Sequence, residues 1–199
     1  MLEIFQKGGP LMYPILLCSV LALGIFLERM WTFARVRRGT AALVREVEEL
    51  VRKDRGDEAM VVCQRANTPL ARIFIMALRA AGRSRDQLKI VVDEVGRREA
   101  APLERYLGLL ATIANIAPLL GLLGTVFGMI EAFRVIALLG VGTPATLGGG
   151  ISEALITTAS GLSVAIPTLL LHRYLSSRVD RIVLEMEEHS LHVVELLGS

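Results

Sequence analysis

The chain has 199 residues, 53% of them hydrophobic and 21% charged, with 22 basic residues, 20 acidic residues and a formal net charge of +2. A mean hydropathy of +0.53 is too high for an ordinary soluble domain of this length. The basic residues are interspersed with acids, which excludes a nucleic-acid-binding signature. Cys18 and Cys63 fit neither a disulfide framework nor a CxxC metal pattern.

A helix needs about 20 apolar residues to cross the hydrocarbon core. The first such run is Leu11 to Leu27, extended by Met30, Trp31 and Phe33; the arginines that follow it mark a retained anchor rather than a cleaved signal. A charged helical region comes next. Thr40 is placed to cap a helix with the stripe Leu43, Val47, Leu50 and Val51. Thr68-Pro69 supplies an N-cap and a first-turn proline, and Gly82 is placed to end that helix. Ser84 and Gln87 have capping-box spacing, opening a helix that runs toward the second span, with Pro102 as a bend. The second run is Tyr106 to Leu139 and the third Ile151 to Leu171; after it Leu175, Val179, Ile182, Val183 and Met186 keep a helical stripe.

Arg29, Arg35, Arg37, Arg38 and Arg45 follow the first span, Lys89, Arg97, Arg98 and Arg105 precede the second, and Arg173, Arg178 and Arg181 follow the third. The stretch from Gly140 to Gly150 has no basic residue. The charge rule therefore puts the N-terminus outside and the C-terminus in the cytoplasm. The expected fold is an all-α membrane protein with three transmembrane helices and long helical cytoplasmic extensions. Its expected divisions are 1–33 (N-terminal segment and first span), 34–104 (cytoplasmic helices), 105–140 (second span), 141–150 (periplasmic loop) and 151–199 (third span with its cytoplasmic tail).

Between Tyr106 and Leu171 only Glu131, Arg134 and Glu153 are charged. Gly121, Thr125, Gly128 and Ala132 share one helical face, and Ala154, Thr158, Gly161 and Ala165 form a matching face on the third span. Such faces let helices approach closely, so Gly121, Gly124, Gly128, Ala154, Gly161 and Ala165 are read as helix-packing positions. Pro118 and Pro167 each remove a helix hydrogen bond, which Asn115, Ser160 and Ser163 are near enough to repair. An ionised carboxylate at mid-membrane costs about 2.5–3.5 kcal/mol. Glu153 is therefore read as a functional acid, its competitor being a position at the outer interface. Thr157, four residues on, lies under Glu153 more directly than Thr158 does. Glu131 and Arg134 have the spacing of an outer ion pair, a charge gate being the other reading.

The motifs Leu103-Glu104-Arg105-Tyr106-Leu107, residues 117–133 (APLLGLLGTVFGMIEAF), Gly150 through Thr158, Gly161-Leu162, Ala165-Ile166-Pro167 and Thr68-Pro69-Leu70-Ala71 resemble the MotA/TolQ/ExbB proton-channel family, ExbB and TolQ most closely. The resemblance implies an oligomeric ring, a homopentamer, in the bacterial inner membrane. It also implies an ExbD/TolR-like single-span subunit in the pore and a TonB/TolA-like periplasm-spanning protein beyond it. Thr125 and Thr158 then correspond to the pore threonines and Glu153 to the acid of the third span. The implied function is a motor subunit that uses the proton motive force to energise an envelope process, TonB-dependent transport first and TolQ-like envelope maintenance second. Surrounding lipids are the remaining partners, and neither a cofactor, a metal nor nucleic acid is implied.

The rival from another class is a structural membrane scaffold that conducts nothing. A phosphate-binding reading of GLLGTVFG fails because no Lys-Ser/Thr follows the glycines and no strand pattern precedes them. His172 and His189 read as surface residues. No nucleophile, base or metal constellation points to an enzyme.

Overall fold

The computed structural model describes residues 5, 7–140 and 144–198. Among them the helices are α1 (Met12–Arg37), α2 (Thr40–Arg52), α3 (Gly56–Ala66), α4 (Pro69–Arg79), α5 (Arg85–Glu104), α6 (Leu107–Leu139) and α7 (Pro144–Leu197), and no strand occurs among the described residues. Three helices are long and apolar enough to cross a membrane. The chain groups into two compact units, one of residues 1–27 with 106–174 and one of residues 28–105 with 175–199. The first holds the apolar runs and is called the membrane unit below; the second holds most of the charge and is called the water-facing unit.

The water-facing unit is built on amphipathic stripes. α2 buries Leu43, Val44 and Val47, and α4 buries Leu70, Ala71, Ile73, Phe74, Ala77 and Leu78, the three-and-four spacing that brings one helix face to a core. α2 packs on α3, α3 on α4 and α4 on α5. Leu175, Val179, Met186, Val193 and Val194 on α7 are buried in the same unit. Truncating a fully buried aromatic such as Phe74 costs about 3–5 kcal/mol.

The caps decide where these helices start. Thr68 Oγ1 accepts a hydrogen bond from the Ala71 amide at 3.2 Å, with Pro69 opening α4. Ser84 Oγ accepts from the Gln87 amide at 3.4 Å. Thr40 does not cap α2: the N-cap is Gly39 at φ 86°, and Thr40 is the first helical residue. A positive φ favours glycine, and the Thr40 hydroxyl instead donates back to the Val36 carbonyl at 2.8 Å. Gly82, at φ +87°, lies beyond the end of α4 at Arg79, which Ala80 caps.

Pro102, expected to bend the junction with the second span, lies inside the last turn of α5. The interruption comes at Arg105 and Tyr106, where Tyr106 adopts φ 67°. The segment 141–150 is not a loop throughout. Its residues 141–143 lie outside the described residues, and α7 begins at Pro144, a residue suited to a first helical turn.

Arg29 is 4% exposed. Its guanidinium donates to the Pro102 carbonyl at 3.0 Å and to both Glu28 carboxylate oxygens at 2.5 and 2.6 Å. The last carbonyls of a helix lack partners along the helix and carry its negative pole. A buried arginine on α1 thus meets the last turn of α5 within the same unit.

Cys63 on α3 is fully buried. Burial, with a smaller contribution from the Glu46 carboxylate, pushes its thiol from 9.0 up to about 11. The folded state therefore holds the Cys63 proton at a pH where the unfolded chain has released it. The associated stability is complete below pH 9 and is lost as pH rises toward 11. Melting temperatures of the wild type and Cys63→Ala across pH 8–11 check this: the wild type falls more steeply, and parallel curves refute the assignment.

Candidate functional site

In the membrane unit α6 and α7 touch through backbone. A Cβ added at Gly121 would lie 3.0 Å from the Thr158 Cα, and one at Gly161 would lie 2.6 Å from the Ala117 carbonyl oxygen and 3.1 Å from the Gly121 Cα. One at Gly128 would meet Ala154 at 2.9 Å, and one at Gly150 would meet Ala132 at 3.0 Å. Gly124 faces the Thr157 side chain, and Ala154 and Ala165 are buried. Gly150, read from sequence as loop, is thus a helical contact residue, because only a missing side chain lets α7 pass Ala132 there.

This approach brings hydroxyls to carbonyls. Thr158 Oγ1 donates to the Gly121 carbonyl at 2.9 Å, so Thr158 lies at the α6–α7 contact of one chain. Thr125, half-buried on α6, donates to the Leu122 carbonyl at 2.6 Å. The two threonines therefore sit on the paired helices, each with its proton directed into backbone.

Thr157 is the most buried polar group of the site, at 0% exposure. Its Oγ1 lies 2.7 Å from the Gly8 carbonyl and 2.8 Å from the Glu153 carbonyl, and its single proton is shared between these acceptors. Gly8 belongs to the turn that precedes α1. Gly9 in that turn has φ +69°, and any side chain there would collide with the Glu153 carboxylate. Glu153 itself is half-buried. The turn, Glu153 and Thr157 form one cluster, distinct from the Thr158–Gly121 contact. The four-residue spacing from Glu153 already pointed to Thr157. The signal for Gly8 and Gly9 is Gly-Gly-Pro directly before an apolar run, which is turn chemistry.

Arg134 Nη1 and Glu131 Oε2 pair at 3.3 Å with both side chains exposed, so in the single chain nothing encloses this pair. The proline kinks are not repaired as expected. Ser163 donates to the Ala159 carbonyl at 2.7 Å, and Asn115 is exposed. Thr168 beside Pro167 is buried and donates to the Val164 carbonyl at 2.7 Å. Among the described residues no His, Cys, Asp and Glu cluster suits a metal ion.

A model of the MotA/TolQ/ExbB proton channel family matches residues 65–188, which run from the end of α3 through most of α7. The chain is 36% identical over 168 residues to the putative biopolymer transport protein ExbB-like 3 of Synechocystis, covering 83% of this chain and 80% of that protein. It is 27% identical over 215 residues to the biopolymer transport protein ExbB of Neisseria meningitidis, covering 96% and 94%. It is 42% identical over 86 residues to the Tol-Pal system protein TolQ of Pseudomonas aeruginosa, covering 43% and 37%.

The close approach of α6 and α7 has a direct test. Gly161→Ala places a methyl group against the Ala117 carbonyl and should destabilise the detergent-solubilised protein by about 1–3 kcal/mol. Gly24→Ala is the matched control, because nothing lies within 4 Å of a Cβ there. A lowered melting temperature for the first and none for the second is the expected result; equal melting refutes the contact.

Proposed function

The chain belongs to the MotA/TolQ/ExbB proton channel family and is a multi-pass protein of the inner membrane. From that membership we propose that it is the ring-forming subunit of a motor driven by the proton motive force. Five copies assemble around a single-span partner of the ExbD or TolR kind, which carries the proton on an intramembrane carboxylate. A periplasm-spanning protein of the TonB or TolA kind receives the work. The process served is TonB-dependent transport, in keeping with relatives named for biopolymer transport that extend over most of the chain.

One observation carries this reading: Glu153, a half-buried carboxylate, lies in an apolar stretch of α7 beside Thr157, whose hydroxyl is fully buried. A charge at membrane depth is costly and normally faces water or a partner. A ring supplies that surrounding, with Thr125 and Thr158 toward the inserted partner and Glu153 governing proton entry. Large apolar side chains exposed on α6, among them Leu119, Leu122, Val126, Phe127 and Phe133, suit contact with neighbouring copies and lipid. A proton crossing about 100 mV releases about 2.3 kcal/mol, enough for a conformational step of the partner.

The 42% identity to TolQ over 86 residues favours envelope maintenance as the second reading. Deleting the gene separates the two: loss of energised uptake supports the first, and a leaky envelope with intact uptake the second.

Proton flux into liposomes holding this chain with its single-span partner tests the motor itself. Glu153→Gln should lower flux at least tenfold, and Thr125→Val or Thr158→Val severalfold, with assembly unchanged by native mass spectrometry. Undiminished flux in Glu153→Gln would remove the acid from the pathway, and no flux in any form would favour a scaffold.

A further inference from the structure

A glutamate side chain is long and flexible, so a carboxylate that serves at one point needs something to hold it there. Thr157 Oγ1 meets the backbone carbonyl of Glu153, not its carboxylate. The turn before α1 meets the carboxylate itself. A Cβ added at Gly9 would lie 2.7 Å from the Glu153 Cδ and 3.3 Å from its Cγ, with Oε1 nearer still. The Glu153 carboxylate thus rests against the bare Cα of Gly9. The turn is tied down on every side of that contact. Phe5 and Tyr13 meet edge to face with ring centroids 5.1 Å apart. The Gly8 carbonyl lies 2.7 Å from Thr157 Oγ1. The Met12 and Tyr13 amides donate to the Gly9 and Pro10 carbonyls at 3.2 and 3.3 Å. Backbone held in this way cannot yield as a side chain would.

Two separate constraints fall on position 9. Its φ of +69° favours glycine, and the carboxylate leaves no room for any side chain. Gly39 separates the two, since it has φ +86° and nothing within 4 Å of a Cβ. There the backbone alone asks for glycine; at Gly9 the acid asks as well. The opening turn of a helix carries its positive pole, which attracts a carboxylate. The contact also gives the acid a direction. Thr158 donates to Gly121 at the α6–α7 contact, whereas the Glu153 carboxylate is turned to the start of α1. The charge rule puts the start of α1 on the outer side, from which protons driven by the membrane potential arrive.

We propose that Gly9 is a positioning residue for proton entry. Its missing side chain sets where the Glu153 carboxylate stands, at the outer end of α1 and apart from the Thr158–Gly121 contact. Gly9 itself gives and takes no proton. The assignment rests on the reading of Glu153 as the acid of the proton pathway.

Proton flux into liposomes holding this chain with its single-span partner tests it. Gly9→Ala pushes the carboxylate aside and should lower flux about fivefold, with assembly unchanged by native mass spectrometry. Gly39→Ala meets similar backbone strain with no neighbour and should leave flux unchanged. Glu153→Asp draws the carboxylate back by one methylene. Combined with Gly9→Ala, it should give flux within about twofold of Glu153→Asp alone, because the added methyl no longer meets the acid. A turn that serves the fold alone would show the same fold-loss from Gly9→Ala with either acid. That result overturns the proposal, as does undiminished flux in Gly9→Ala. Glu153→Gln in the same liposomes separates this proposal from the reading beneath it. Flux lost there, with Gly9→Ala harmless, overturns the positioning role alone. Flux kept there removes Glu153 from the pathway and this proposal with it. Should Gly9→Ala fail to assemble, melting temperatures in detergent decide. Gly9→Ala with Glu153→Ala should then melt above Gly9→Ala alone, and equal melting overturns the contact.

Discussion

The membrane unit depends on the distance between the α6 and α7 backbones. In lipid the surroundings are as apolar as a leucine side chain, so helices gain little by hiding large hydrophobic groups from them. What holds them is close packing and hydrogen bonding, and both need small residues at the contact. Gly121, Gly128, Gly150 and Gly161 supply that on the two helices, each with backbone or an alanine of the facing helix against it. A methyl group at these points pushes backbone against backbone, which cannot rotate away as a side chain can.

The same closeness fixes the state of the hydroxyls. Thr158 reaches the Gly121 carbonyl because no side chain stands between them, while Thr125 turns its proton onto Leu122 of its own helix. A threonine that has given its proton to backbone offers only lone pairs to whatever faces it. In the proposed ring, such oxygens accept hydrogen bonds from water or from a protonated carboxyl group and cannot donate to an ionised one. They favour the protonated form of a carboxylate beside them, which is the form that must cross the apolar part of a pathway. Thr157 differs in kind. Its contact with the Gly8 carbonyl ties the turn before α1 to α7, and its hydroxyl is fully buried there.

The three spans were legible because long apolar runs have few other uses, and the Thr68 and Ser84 caps because a side-chain oxygen next to a helix start has one obvious role. What failed to show had a competing signal of equal strength. Thr40 and Gly39 both suit a helix start, and the left-handed backbone before α2 decided for glycine. Gly148, Gly149 and Gly150 look like a loop in any sequence, yet Gly150 is helical because α7 must pass Ala132. Pro102 marks the junction in the sequence, whereas the interruption at Tyr106, with φ 67°, has no sequence signal of its own. The helical faces of the site could be drawn from spacing alone, and the Thr158–Gly121 bond could not, since it joins residues 37 apart. The Gly9–Glu153 contact is farther still in sequence and has no periodicity to announce it.

The two units are stabilised by different physics, and their cores record it. Among the largest fully buried side chains, Phe74, Ile73, Leu88, Leu175, Val47, Val193, Val194 and Cys63 all belong to the water-facing unit, whereas the membrane unit contributes Leu110 and Thr157. Where water is the alternative, burying a large apolar group is worth about 1.5–3 kcal/mol, so large groups gather in the core. Where lipid is the alternative, that term nearly vanishes, and beside Ile15, Leu110 and Ile113 the buried positions include many glycines and alanines and a threonine with carbonyl partners. The two units accordingly have opposite sensitivities. The water-facing unit is hurt most by making a core side chain smaller, and the membrane unit by making one larger. Arg29 obeys the first regime despite its charge, since its guanidinium has both a carboxylate and a helix-end carbonyl to replace the water it gives up.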